Sequence, residues 1–221
     1  MSTLTSLPVT TLLDRLYAEA ETSWTGYDAV LGGLSEDEQD RLMRSRTEYR
    51  DLYERLQGMP LAVSRETGRL LYMLSRGARA RTIVEFGTSF GLSTIHLAAA
   101  LRDNGGGRLI TCEFEPTKVD RAREHLKAAG LIDLVEFREG EALQTLSVDL
   151  PETIDLVLLD GAKALYADVL GLLERRLRAS AFVVADNADA CPDYVARVRH
   201  PGRGYLSVPF TDDVEVSMRV G

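Results

Sequence analysis

Beyond residue 80 the chain alternates short, continuously apolar runs with helical segments, and that alternation leaves few folds open. The apolar runs are RTIVEFG, RLITCEF, LVEFREG, IDLVLLD and AFVVADN. Between and after them lie LSTIHLAAALRD, PTKVDRAREHLKAAG, the short EALQTL, ALYADVLGLLERRLRA and CPDYVARVR. A strand without polar alternation is buried on both faces, and strands separated by helices run parallel. The pattern therefore predicts an α/β, Rossmann-like fold with helices on both faces of a mostly parallel sheet. Two last runs, YLSVPF and VEVSMRV, are joined by few residues and are expected to pair antiparallel.

Residues 1–58 have a different texture. Leu12, Leu13, Leu16 and Tyr17 recur at helical spacing, Ser35 and Glu38 form a capping-box pattern, and Gly58 and Pro60 close the helix that it opens. SRETGRLLYMLSRGARA is a further helix with Leu70, Leu71 and Leu74 toward a core. The expected organisation is an N-terminal helical extension, 1–58, on one globular unit, 59–221. A net charge of -8 argues against general nucleic-acid binding, which depends on neutralising phosphates. Cys112 and Cys191 have neither metal-type spacing nor a disulfide framework, as expected in a reducing cytosol. The first residues read as an amphipathic helix, not a signal peptide, and no apolar run approaches the ~20 residues of a membrane span. A cytoplasmic protein without a membrane or nucleic-acid partner is expected.

Ligands of such sheets sit beyond the carboxyl ends of the strands. The first strand ends in VEFGTSFGLS, with Glu85, Gly87, Gly91 and Ser93. Its glycines let backbone approach a ligand closely, although the loop alone also fits a plain connecting turn. It is neither G-x-G-x-x-G nor a P-loop, so the usual dinucleotide and nucleotide fingerprints are absent. Glu113 ends the second strand, where a carboxylate can accept hydrogen bonds from both hydroxyls of a ribose. Alone it reads equally as a solvent-facing acid. The glycine turn and this acid together imply a nucleoside-bearing ligand without a pyrophosphate. Asp160 ends the fourth strand and Asp186, with Asn187, the fifth. Each acid could cap the next helix. Together, two carboxylates and an amide make a hard-oxygen set suited to Mg²⁺ or Ca²⁺. Lys163 lies in a first helical turn, which the helix dipole disfavours. Tyr166 reads as a packing residue.

VEFGTSFGLST, ITCEFEPTKVDRAREHL, IDLVLLDGAKALY and VVADNA together resemble the cation-dependent class I O-methyltransferases, over about residues 58–200. That family includes catechol O-methyltransferase, the plant caffeoyl-CoA enzymes and bacterial relatives. D-x-x-K-x-x-Y followed by D-N is the specific part; the glycine loop is shared by many S-adenosylmethionine (SAM) enzymes. The resemblance implies a seven-stranded sheet with an antiparallel last strand. It places Glu85, Gly87 and Ser93 on the methionine side of SAM, Val63 near its amino-acid end, Glu113 on the ribose, and Gly140, Glu141 and Ala142 along the adenine. It gives Mg²⁺, or another divalent cation, to Asp160, Asp186 and Asn187. Asp160 serves the cofactor and the chemistry as well, and Lys163 is the catalytic base. The implied acceptor is a phenolic or vicinal dihydroxy small molecule, or a hydroxylated natural product. The implied assembly is a homodimer.

A phenol has a reference pKa near 10 and is a poor nucleophile at neutral pH. A cation lowers that pKa and orients the oxygen, and a lysine whose own pKa is lowered can take the proton. Gly161 and Ala162 stand where catechol enzymes carry bulkier side chains. Asp212 and Asp213 read as a turn, and Trp24 and Tyr27 are expected in the core. His96, His125 and His200 fit no catalytic pattern. Two rival readings are a metal-independent SAM methyltransferase and a nucleotide-binding protein of another kind.

Overall fold

The computed structural model describes residues 2–221, Asp28 by its backbone alone, so the first residue of the expected N-terminal extension lies outside it. The strands are β1 (Thr82–Phe86), β2 (Arg108–Glu113), β3 (Val135–Glu139), β4 (Ile154–Leu159), β5 (Leu177–Ala185), β6 (Tyr205–Pro209) and β7 (Glu215–Arg219). They form a seven-stranded sheet in the order β3-β2-β1-β4-β5-β7-β6. β1 to β5 pair in parallel, and β7 runs antiparallel to both β5 and β6, as the short final connection requires. β1 pairs with β2 on one side and β4 on the other, so the chain changes direction across the sheet there and a crevice opens beyond the strand ends.

The helices are α1 (Leu7–Trp24), α2 (Tyr27–Val30), α3 (Glu36–Arg44), α4 (Tyr49–Arg55), α5 (Arg65–Gly77), α6 (Leu92–Asp103), α7 (Pro116–Ala128), α8 (Ala142–Thr145), α9 (Tyr166–Leu173) and α10 (Pro192–Arg199). Successive strand residues face opposite layers. Ile83, Leu109, Leu156 and Leu158 join the core under α1, α5, α6 and α7. Val84, Ile110, Val157 and Leu159 join the core under α8, α9 and α10. The apolar stripe of α1, including Leu12, Leu13, Leu16 and Tyr17, is buried in the first of these cores. The segment from α2 to α4 closes a smaller cluster of Leu31, Leu42, Leu52, Leu56 and Met59.

Two segments differ from expectation. The helix opened by Ser35 stops at Arg44, and α4 begins only at Tyr49. The capping box itself is present, with Ser35 N–H donating to Glu38 Oε2 at 2.9 Å. The break comes at Ser45, whose Oγ accepts the Glu48 N–H at 3.0 Å, so a side chain competes with the helical hydrogen bonds. The stretch after α9, expected to continue as helix, instead begins β5 at Leu177. There the Asp155 carboxylate, the one acid inside β4, accepts from the backbone N–H groups of Arg81 (2.7 Å) and Thr82 (2.8 Å) and pairs with Arg178. It ties the starts of β1, β4 and β5 together.

Gly87 follows β1 with φ +99, and a Cβ there would stand 2.5 Å from the Asp160 carbonyl carbon. The turns after β1 and β4 touch only because this residue has no side chain. Gly87→Ala is expected to lower stability by at least ~1–3 kcal/mol, from positive φ alone. Urea denaturation checks this, and an unchanged midpoint would contradict it.

Candidate functional site

Two cavities open beyond the strand ends and meet at Asp160, Tyr53 and Leu61, which line both. The first runs past Gly87, Ser89, Glu113, Phe114 and Gly140 to Ala142, with Tyr49 and Tyr53 of α4 above it. Glu113 is held in place by backbone donors: Ser89 N–H to Oε2 at 2.9 Å, and Phe114 and Glu115 N–H to Oε1 at 3.0 and 3.1 Å. Lone pairs remain on both oxygens for further donors. Tyr49 and Arg50 clasp Glu141 and hold α4 over this cavity.

Glu85, Ser93 and Val63 line neither cavity. Val63 is buried, and Glu85 sits wholly buried behind the glycine turn. Its carboxylate accepts from Ser93 Oγ, Thr94 Oγ1 and Thr111 Oγ1, each at 2.6 Å. Burial pushes its pKa up to about 7, against the pull of those three hydroxyls. The acid and the serine expected against a ligand instead hold β1, β2 and α6 together under the turn.

The second cavity has Asp160, Lys163, Asp186 and Asn187 on one side and Trp24, Tyr27, Met43, Leu52 and Leu56 among its other walls. Asp160 and Asp186 are brought side by side by the sheet itself. Asp160 N–H donates to Phe86 O (2.8 Å) and Asp186 N–H to Leu159 O (2.9 Å), extending the ladders by one residue. Asn187 adopts the left-handed conformation, φ 51, which asparagine tolerates. Lys163 Nζ lies 3.3 Å from Asp160 Oδ1 and donates to Tyr166 Oη at 2.9 Å. Tyr166 in turn donates to the Asp186 carbonyl at 2.8 Å and is fully buried, a packing residue that also orients the lysine.

The charges here are poorly compensated. Burial pushes Asp160 up to about 6 although Lys163 pulls it back, and burial with Asp160 nearby pushes Asp186 up to about 8. No described residue donates a hydrogen bond to the Asp186 carboxylate. Burial alone would lower Lys163, but Asp160, Tyr53, Asp186 and Cys191 outweigh it and hold the amine above its ordinary value. A lowered lysine pKa, as a base needs, is thus absent while the acids stand alone. Among the described residues no group of three or more His, Cys, Asp or Glu converges. The candidate donor set is the two carboxylates with the Asn187 amide, hard oxygens that fit Mg²⁺.

Several lining residues were not found from the sequence. Tyr49 and Tyr53 share one helical face four residues apart, a spacing that the sequence carries but that does not by itself point to a cavity. Trp24 and Tyr27, expected in the core, stand at the cavity wall instead, with Trp24 47% exposed and their ring centroids 4.8 Å apart. Trp24 falls where α1 ends and the chain turns, while Tyr27 also packs against the small cluster of Leu31, Leu42, Leu52, Leu56 and Met59, as expected of a core residue. Gly161 lies under the Phe86 ring, where a Cβ would stand 2.5 Å from Cζ, so the small residue is forced from inside the fold. His96 and His125 are buried and structural; His96 Nε2 meets Tyr17 Oη at 3.2 Å and His125 Nδ1 meets Phe90 O at 2.8 Å. Asp213 accepts from Thr211 Oγ1 within the expected turn and lines neither cavity, although its carbonyl accepts the Ala188 N–H at 2.7 Å just behind Asn187.

Comparison with known proteins agrees with this geometry. Residues 84–188 match the family model described as a methyltransferase domain. The catechol O-methyltransferase of Niastella koreensis is 36% identical over 134 residues, 59% of this chain and 60% of that one. The crystal structure of TomG from Streptomyces achromogenes, an O-methyltransferase involved in tomaymycin synthesis and solved in complex with SAM, superposes with TM-score 0.59. It is 28% identical and covers 86% of this chain and 93% of that one. The O-methyltransferase of Bacillus cereus shares the fold at TM-score 0.64 and 21% identity, over 93% of this chain and 100% of that one. The matches span about three fifths of the length of the curated relatives. The fold is that of the class I SAM-dependent methyltransferases. Within that class the chain is similar, over these segments, to O-methyltransferases of the catechol type.

Asp160, Asp186 and Glu85 all bind protons more tightly folded than unfolded. Groups whose folded pKa is raised in this way cost stability as pH climbs from the unfolded carboxylate value through the folded one. The ligand-free, metal-free protein should therefore lose melting temperature as pH rises from about 4 to about 8, the folded value of Asp186. Asp186→Asn should flatten that slope; a slope unchanged in the variant would contradict the assignment.

Proposed function

We propose that the protein transfers a methyl group from SAM to a hydroxyl of a small aromatic molecule, assisted by a divalent cation. The observation that carries this reading is the meeting of the two cavities at Asp160, one lined by a backbone-held glutamate and the other by acids and aromatic rings. In the first, Glu113 takes the ribose hydroxyls, and Gly87, Gly140, Glu141 and Ala142 border the nucleoside. Glu85, Ser93 and Val63 act from behind, keeping the turn in shape. SAM supplies an electrophilic methyl group on a sulfonium.

In the second cavity Trp24, Tyr27 and Tyr53 flank the acceptor ring. Asp160, Asp186 and Asn187 would hold the cation, which when bound would polarise a hydroxyl and offset the two carboxylates. Burial favours the neutral amine of Lys163, against the pull of the nearby acids that a bound cation would offset. Lys163 then takes the proton from the acceptor hydroxyl, and Tyr166 fixes where its nitrogen stands. Much of the rate comes from holding the oxygen in near-attack geometry.

The N-terminal segment, 1–58, serves as a cap over the unit 59–221, since α4 and the end of α1 supply one wall of each cavity. A homodimer is supported by the exposed row Leu206, Val208 and Phe210 at edge strand β6. A cytoplasmic setting suits the two free, buried cysteines. Among the described residues no helix is long and apolar enough to cross a membrane. Metal-independent transfer is the second reading, favoured by the Lys163–Asp160 pair, which already offsets one charge.

Labelled methyl transfer from SAM to catechols and caffeoyl-type phenols tests both. Product is expected with Mg²⁺ and not with EDTA; undiminished product in EDTA would support the second reading. Lys163→Met should lower kcat about 10²–10⁴-fold with S-adenosylhomocysteine binding little changed. Full turnover in that variant would remove the lysine from the mechanism.

A further inference from the structure

The first cavity holds a cation that none of these roles uses. Lys118, in the first turn of α7, is 3% exposed, and its side chain lines the cavity together with Gly87, Glu113 and Asp160. No described carboxylate lies within ion-pairing distance of its amine, and no described residue accepts a hydrogen bond from it. Its one close interaction is with the Phe90 ring, whose centroid is 6.0 Å from Nζ. Burial pushes its pKa down, partly offset by Glu113, Glu115 and Asp160 at longer range.

A buried ammonium without a partner is costly, and the cost is removed by an anion arriving in the same space. The other charged groups of this cavity are Glu113, Glu115, Glu141 and Asp160. They suit hydroxyls and cations and repel an anion. SAM carries one anionic group, the carboxylate of its amino-acid arm. Resting on the cofactor assignment above, we propose that Lys118 receives that carboxylate and so selects for a cofactor with an intact amino-acid arm. The amine then donates a charge-assisted hydrogen bond in a cavity walled on one side by Tyr49 and Tyr53 of α4.

Calorimetric titration of wild type, Lys118→Met and Lys118→Gln tests this with two ligands. One is S-adenosylhomocysteine. The other is its decarboxylated form, which keeps the adenosine and the amine. Both variants should bind S-adenosylhomocysteine about tenfold or more weaker and the decarboxylated form within about threefold of wild type. Ligand-free Lys118→Met should melt no lower than wild type, because an uncompensated buried charge has gone. Equal losses for both ligands, or a lowered melting temperature with a proportionate loss of each, would mark a structural lysine and overturn the proposal. Wild-type protein that binds neither ligand would overturn the SAM reading itself, and Lys118 with it.

Discussion

The placement of Asp160 and Asp186, buried side by side at the ends of adjacent parallel strands, is the constraint on which the rest of the site depends. Parallel pairing leaves no choice about their proximity, since each backbone N–H continues the ladder of the strand beside it. Like charges at that range push one another toward the protonated form, and burial adds to the effect. The fold supplies one counter-charge, Lys163, and pins it through Tyr166 to the carbonyl of Asp186 itself. Lysine, tyrosine, the Asp160 carboxylate and the Asp186 backbone are therefore tied into one chain of hydrogen bonds. Without a cation a proton on Asp186 makes up the remaining charge, and a hard divalent cation would take its place.

A second buried acid makes the crevice possible. Glu85 is satisfied by three hydroxyls drawn from α6 and β2, so the chain leaves β1 along one fixed path. Gly87 then passes against the Asp160 carbonyl, closer than any side chain allows. The first cavity and the acid pair are thus joined by backbone contact. The junction at Asp160, common to both cavities, is where a methyl donor and an acceptor oxygen would meet.

The parallel sheet, its antiparallel end and the acids at the strand tips were legible because apolar runs and turn residues are local signals. The N-terminal helices were legible as helices, through Leu12, Leu16 and the Ser35–Glu38 box. Their contribution to the cavities was not, since Trp24, Tyr27, Tyr49 and Tyr53 take their roles from packing over residues far along the chain. The break at Ser45 and the early start of β5 were hidden for a related reason. A side-chain hydrogen bond at Ser45 and the Asp155–Arg178 pair outweigh helical propensity there. Glu85 shows the limit of reading position alone, because an acid at a strand tip can face inward as readily as toward a ligand.

On the proposed function, Asp160, Asp186 and Asn187 form one cation site built by the sheet. Titration with Mn²⁺, following the free ion by electron paramagnetic resonance, tests it without any substrate. One saturable site in wild type, lost in Asp186→Asn while the fold is kept, is expected. Saturable binding that survives unchanged in Asp186→Asn, or no binding to wild type at all, would contradict it.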